Sequence, residues 1–163
     1  MKYVRHYTFP KVNIGIIEDN GFITGIFFGN EARGDLPQAE KGDPPQVEET
    51  VLIRRAADQL YEYFAGKRDR FDIPIQPSGT PFQRRVWDAV SAIPYGETRT
   101  YKEIADLTGN GKAARAVGMA NNRNPIVIVI PCHRVIGHNG SLVGYGGGLD
   151  VKAYLLELEK RGM

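Results

Sequence analysis

A cluster of chain breakers near the middle of this 163-residue sequence splits it into two parts of different character. Pro74, Pro77 and Gly79 fall within residues 67–79, where they exclude a regular helix and a central strand alike. Thr80-Pro81-Phe82-Gln83 follows at once. A threonine with glutamine three residues later and proline at the first helical position is a capping box, which fixes a helix start. The stretch before the breakers reads as strands followed by one helix, and the stretch after them mainly as helices. The expected fold class is therefore α/β. A small N-terminal sheet plus helix domain covers residues 1–78, and a mainly helical domain with a helix-turn-helix and the chain's one cysteine covers 79–163.

In the first part, Tyr3–Phe9, Val12–Glu18 and Phe22–Phe28 are short runs rich in β-branched and aromatic residues. Asp19-Asn20-Gly21 between the second and third predicts a hairpin turn. Residues 29–46 are rich in glycine, proline and charge and read as a loop. Val47–Ala65 has helical spacing, with Val51, Leu52, Ala56, Leu60, Tyr63 and Phe64 on one side. Glu48 and Glu49 are expected in its first turn, where they would complement the helix dipole, and Gly66 at its stop.

In the second part, the helix opened at Thr80 carries Phe82, Val86, Trp87 and Val90 and stops before Pro94. Thr100-Tyr101-Lys102-Glu103 is a second capping box, opening a helix through Leu107. Gly109–Gly111 breaks it, and Lys112–Asn121 forms a third helix, so the pair has the look of a helix-turn-helix. A strand is expected over Ile126–Ile130, then a glycine-rich stretch at 144–148, then a last helix over Asp150–Lys160.

Charge adds a first functional hint. Residues 80–134 hold eight Lys/Arg against four Asp/Glu, a local +4 in a chain of net +2. A basic segment of this kind suits a polyanion such as DNA, although a solvated helical face has the same composition. The third helix is nearly bare, with Ala113, Ala114, Ala116, Gly118 and Ala120, and Arg115 is the long side chain near its start. Lys112 and Arg123 flank it. A bare helix can pack tightly in a core; equally, it can lie in a groove of DNA with one arginine pushed into the base stack. No apolar run reaches membrane-spanning length and no signal peptide is apparent, so the expectation is a cytoplasmic protein. One cysteine and three histidines make a structural zinc site an unpromising idea.

Cys132, the single cysteine, sits in Pro131-Cys132-His133-Arg134. A thiol flanked by a base and a cation can be held as a thiolate nucleophile, whereas a lone cysteine elsewhere is often a small buried hydrophobe. On an extended segment neighbouring side chains point to opposite faces. His133 would then act through a turn or a bridging water, with a third group orienting its ring. Glu159 is a candidate, one turn after Leu155 and two after Val151 on the last helix; a solvated glutamate near a chain end is the alternative.

Residues 80–160 resemble the catalytic domain of the O6-alkylguanine-DNA alkyltransferases. The resemblance rests on Ile130-Pro131-Cys132-His133-Arg134-Val135-Ile136, Lys112-Ala113-Ala114-Arg115-Ala116-Val117-Gly118, Asn124-Pro125 and Tyr145-Gly146-Gly147-Gly148-Leu149. It implies that Cys132 is the alkyl acceptor, His133 a base acting through water and Glu159 the carboxylate behind it. Tyr101 would aid nucleotide flipping and assist the leaving guanine at N3. Arg115 would replace the flipped nucleotide in the stack, with Ala114, Gly118, Lys112 and Arg123 along the DNA. Asn124 would tie the helix-turn-helix to the cysteine site. Val135, Tyr145 and the backbone of Gly146 would line the pocket; many relatives carry serine at the last position. The implied reaction is one irreversible transfer per molecule from O6-alkylguanine in double-stranded DNA, with O4-alkylthymine a further candidate lesion. It needs no cofactor and no metal, and a monomer, nucleoid-associated when on DNA, is expected. A thiol hydrolase and a DNA-binding protein without chemistry are the rival readings.

Overall fold

The computed structural model describes residues 1–29, 44–109, 111–145 and 147–162. It forms two compact units: Met1–Pro77 with Pro125–Val127, and Ser78–Asn124 with Ile128–Met163. Most of the 29–46 loop expected from sequence, and Gly146, lie outside the described residues.

The first unit is a sheet with a helix. Strands β1 (Lys2–Phe9), β2 (Val12–Asp19) and β3 (Phe22–Phe28) form an antiparallel meander. A short β4 (Gln46–Val47) joins β1 in parallel, giving the order β3-β2-β1-β4. The β2–β3 turn has Asn20 at φ 51° and Gly21 at φ 85°, the two positive φ values that an Asn-Gly hairpin supplies. Helix α1 (Val51–Phe64) packs on the sheet, with the Phe9 ring 4.5 Å from Tyr61 and 5.1 Å from Phe64. Gly15 leaves room for Phe27, whose ring would lie 2.3 Å from a Cβ there. Pro125–Val127 extends the sheet edge through Ile26 N–H to the Pro125 carbonyl (2.9 Å) and Val127 N–H to the Ile26 carbonyl (3.0 Å).

Two expectations for this part need correction. Helix α1 starts four residues later than Val47, because Val47 is held as a strand opposite Val4 and Thr50 caps the helix, its Oγ1 accepting from Ile53 N–H at 3.1 Å. Glu48 and Glu49 therefore precede the helix. Glu49 instead accepts from the Tyr7 hydroxyl at 2.6 Å and pairs with Arg54 at 3.6 Å. The stop at Gly66, with φ 74°, is as expected.

The second unit is mainly helical. Helix α2 (Pro81–Ser91) opens on the Thr80–Gln83 capping box, with both reciprocal bonds present at 3.1 and 2.9 Å. Strand β5 (Arg99–Thr100) leads into α3 (Tyr101–Leu107), which opens on the Thr100–Glu103 box. Helix α4 (Ala114–Asn122) starts two residues after Lys112; its N-cap, Ala113, has no side-chain acceptor to hold an earlier turn. Strand β6 (Val135–Ile136) pairs in parallel with β5, and α5 (Leu149–Arg161) closes the unit.

The expected strand over Ile126–Ile130 does not form. Ile126 makes one bridge to Ile26, and the chain then turns at Ile128, which has φ 71°. Ile126, Ile128 and Ile130 are all buried. An apolar run marks burial, and periodicity alone does not tell a strand from another buried conformation.

Trp87 of α2 anchors α4 by donating its indole N–H to the Ala120 carbonyl at 2.9 Å, in the core. Trp87→Phe keeps an aromatic ring but removes that bond and some volume. A loss of about 1–2 kcal/mol is expected, seen as a lower urea midpoint with an unchanged slope.

Candidate active site and nucleic-acid interface

Cys132, His133 and Arg134 form one turn of 3-10 helix after Pro131. Arg134 N–H closes the turn on the Pro131 carbonyl at 2.9 Å. Successive side chains on such a turn fan out by about 120° instead of alternating between two faces. This corrects the geometry expected for an extended segment, and its consequence is direct. His133 and Arg134, adjacent in sequence, both reach the carboxylate of Glu159.

Glu159 lies on α5 and is 3% exposed, so it is not a solvated terminal residue. Its Oε2 is 2.6 Å from His133 Nε2 and 3.1 Å from Arg134 Nη2. Its Oε1 accepts from Arg134 Nε at 2.7 Å and from Gly96 N–H at 3.3 Å. Arg134 Nη1 also donates to the Ile93 carbonyl at 2.7 Å. Burial alone would raise the carboxyl pKa, but the hydrogen bonds and charges of His133 and Arg134 outweigh it and hold Glu159 well below the carboxylate range. Burial lowers the pKa of His133; the bond and charge of Glu159 oppose this, and the charges of Arg134 and Lys152 reinforce it. We assign an ionised Glu159 and a neutral His133, because the arginine fork already supplies the carboxylate with a counter-ion. His133 Nδ1 is buried and has no hydrogen-bond partner among the described residues.

Cys132 is 3% exposed. Burial pushes its thiol pKa up, while side-chain hydrogen bonds from Asn124 and Tyr145 and the charge of Lys152 pull it down. The net direction is upward, so a standing thiolate is not what this environment favours. Asn124 also donates to the Ile130 carbonyl at 2.7 Å, and Asn121 donates to the Cys132 carbonyl at 3.1 Å. Both asparagines stand at the C-terminal end of α4, so the helix-turn-helix is bonded directly to the cysteine turn. Asn121 was not singled out from sequence; a buried polar residue on a helix of small residues is its only signal there.

Lys152 was also missed. It is fully buried on α5, with Nζ donating to the carbonyls of Val135 (2.6 Å) and Val143 (3.0 Å) and lying 5.8 Å from the centre of the Tyr101 ring. The spacing 152, 155, 159 places it on the same face as Leu155 and Glu159, and that spacing was the available signal. The expected stripe through Val151 is displaced by one residue, since Val151 is only half-buried. Tyr101 is half-buried and donates its hydroxyl to the Val143 carbonyl at 2.9 Å. Val135 is buried on β6 and Tyr145 half-buried.

Arg115, Lys112 and Arg123 are exposed on or beside α4, and Ala114 and Gly118 are partly exposed. Met119, one turn after Arg115, is 61% exposed. A Cβ at Gly118 would meet the Tyr101 ring at 3.8 Å, an ordinary contact. Packing inside the protein therefore does not demand glycine there.

Two family models match the chain. The DNA binding domain of 6-O-methylguanine DNA methyltransferase matches residues 81–161, and the ribonuclease-like domain of the same enzyme matches 2–77. The chain belongs to the 6-O-methylguanine DNA methyltransferase family. It is 43% identical over 161 residues to the constitutive methylated-DNA–protein-cysteine methyltransferase of Bacillus subtilis, covering 96% of each chain. It is 60% identical over 113 residues to the methylated-DNA–protein-cysteine methyltransferase of Methanosarcina acetivorans, covering 69% of this chain and 72% of the relative. A crystal structure of the Mycobacterium tuberculosis OGT in complex with DNA superposes with a TM-score of 0.87 at 43% identity, covering 98% of this chain and 93% of that one. The family's two-domain architecture, a sheet plus helix domain and then a mainly helical DNA-binding domain, is the fold class expected from sequence. Among the described residues no helix is long and apolar enough to cross a membrane.

The buried carboxylate and imidazole of this family member fix a pH dependence. Both groups have folded pKa values below their unfolded ones, so each adds stability that is present above its unfolded pKa and lost as the pH falls. The urea midpoint should decline below about pH 6.5 as His133 is forced to charge, and further below about pH 4.3 as Glu159 is protonated. Glu159→Gln should start lower and show a smaller second decline. An acid profile identical to wild type would show that the carboxylate is not the group being titrated.

Proposed function

We propose that this protein repairs O6-alkylguanine in double-stranded DNA by taking the alkyl group irreversibly onto Cys132. The family supplies the reaction class, alkyl transfer from O6-methylguanine to a protein cysteine. The observation that carries the assignment to Cys132 is its setting. The chain's single thiol is buried among Asn124, Tyr145 and Lys152, on the same turn as a histidine whose Nδ1 has no hydrogen-bond partner among the described residues.

The lesion lies inside the duplex, so the nucleotide must be turned out of the stack, at a few kcal/mol. Helix α4 suits the groove. Its Ala114 and Gly118 allow close approach, Arg115 fills the vacated stack, and Lys112 and Arg123 meet phosphates. The flipped base enters beside Val135 and Tyr145. Nε2–H of His133 stays on Glu159, and Nδ1 takes the thiol proton through a water. The sulfur then attacks the alkyl carbon in line; the S–C bond forms as the C–O6 bond breaks, and the electron pair leaves with the guanine. Tyr101 donates to guanine N3, exchanging its present acceptor, the Val143 carbonyl, for the base. Lys152 remains bonded to that carbonyl, so it is not orphaned. The product is a thioether with no internal route back to the thiol, so each molecule acts once and needs no cofactor. O4-alkylthymine presents the same kind of alkyl carbon and is a second candidate lesion. The chain acts as a monomer, in the reducing cytoplasm where a lone thiol persists.

Intact mass after incubation with O6-methylguanine DNA tests this. One added methylene on Cys132 and no turnover is the expected result. Repeated release of product with unmodified protein selects a hydrolase, and binding without modification selects a DNA-binding protein. Cys132→Ser should bind the alkylated duplex and transfer nothing, since a serine hydroxyl is far less ionised than a thiol.

Arg115→Ala separates flipping from chemistry. It should slow repair of duplex DNA strongly and leave the reaction with free O6-benzylguanine nearly unchanged. Removal of a plain phosphate contact would instead lower DNA affinity and reduce the salt slope by about one. Equal losses on duplex and free base would remove Arg115 from the flipping step.

A further inference from the structure

We infer that Arg134 is a positioning residue that sets the charge state of the histidine relay: it takes Glu159 as its own bidentate partner and so keeps His133 a neutral base. The inference deepens the proposed alkyl transfer and rests on it. The geometry carries it. Arg134 is buried, and its Nε and Nη2 lie 2.7 and 3.1 Å from the two carboxylate oxygens, while Nη1 is held by the Ile93 carbonyl at 2.7 Å. The Tyr95 ring lies against the guanidinium, 5.7 Å from ring centre to Cζ. An arginine so placed is always charged and has a fork that matches a carboxylate.

The charged and titratable groups facing His133 can be counted element by element. Glu159 and Lys152 come from α5 and Arg134 from its own turn, while Gly96 adds a backbone N–H at the carboxylate. Arg134 cancels Glu159. A protonated His133 would then be a second cation in a buried site that already holds Lys152. Neutral His133 keeps its Nε2–H on Glu159 and leaves Nδ1 as the acceptor that the transfer needs. Without Arg134 the carboxylate would have His133 as its nearest cation, and the imidazolium would be favoured. A protonated ring has no lone pair with which to take the thiol proton. Arg134 is committed to Glu159 and the Ile93 carbonyl, and through the carboxylate it decides whether the base is a base.

The experiment is a 15N NMR titration of the histidine rings in the full chain, without DNA. His133 is assigned by loss of the His6 and His138 signals in His6→Gln and His138→Gln. In wild type at pH 7 His133 should show the neutral Nε2–H tautomer; an imidazolium there overturns the inference without need of any Arg134 variant. In Arg134→Gln the His133 midpoint should rise by about one to two pH units. In Arg134→Lys, which keeps the charge and loses the fork, it should stay close to wild type. An unmoved midpoint in folded Arg134→Gln would make Arg134 a purely structural residue. The reaction with free O6-benzylguanine should follow suit, its acid limb moving to higher pH in Arg134→Gln and not in Arg134→Lys. The titration needs no repair substrate. A wild type that takes up no alkyl group from O6-methylguanine DNA would therefore fail the proposed function alone, while the titration would still decide the role of Arg134.

Discussion

One buried carboxylate organises the second unit. Glu159 sits at the end of a helix, yet its side chain is reached by Gly96 from the loop after α2 and by His133 and Arg134 from the cysteine turn. Three segments distant in sequence thus meet at two oxygen atoms. An ion pair buried this deeply is weak evidence for stability, because desolvation of both charges offsets much of their attraction. Its directional bonds do something that apolar packing would not. They hold an imidazole in a fixed orientation on the turn that carries the thiol, and they do so only while the 3-10 turn brings both His133 and Arg134 within reach of one carboxylate.

A second set of bonds links that turn to the helix proposed to lie on DNA. Asn121 holds the carbonyl of Cys132, Asn124 reaches both the Ile130 carbonyl and the sulfur, and Trp87 fixes the Ala120 carbonyl between them and the start of α4. These contacts are short and buried, so a displacement of the C-terminal end of α4 is passed to the cysteine backbone without a flexible intermediary. The position of the Cys132 thiol and the position of α4 are therefore one structural variable.

Local sequence chemistry was legible where a backbone rule governs it. The capping boxes at Thr80 and Thr100, the Asn20-Gly21 hairpin and the stop at Gly66 all follow from hydrogen-bond or φ requirements that a few neighbouring residues satisfy. The start of α1 was misplaced because pairing of Val47 with Val4, a contact between distant residues, overrides helical spacing. The same reason explains the false strand at 126–130. Its isoleucines are apolar because they are buried, and the turn at Ile128 depends on tertiary contacts that no local pattern encodes. In the site, the residue types at Cys132, His133 and Glu159 were visible in the sequence. Lys152 carries no role in the sequence reading, and Arg134 is read there as a cation for the thiol, whereas its guanidinium pairs with Glu159; both placements depend on the three-dimensional path of α5 and the cysteine turn.

The electrostatics of the thiol fit the role proposed for Cys132, a nucleophile consumed in use. Oxidation and adventitious alkylation of cysteine follow thiolate character and exposure. In a turnover enzyme a permanently ionised thiolate is restored after each cycle, but a thioether is final, and every stray reaction removes one molecule from service. Cys132 is buried, its pKa is raised by that burial, and burial likewise holds down the pKa of the neighbouring histidine. The resting thiol is thus poorly reactive toward small electrophiles in solution. The groups that favour the thiolate, Asn124, Tyr145 and the Lys152 ammonium, are already in place around the sulfur. What they lack is a reason for the proton to leave. In the proposed reaction a flipped base that fills the pocket supplies one, because it brings an electrophilic carbon into line with the sulfur and a leaving group that accepts a proton in return. The thiol is then activated by the lesion and not in advance of it.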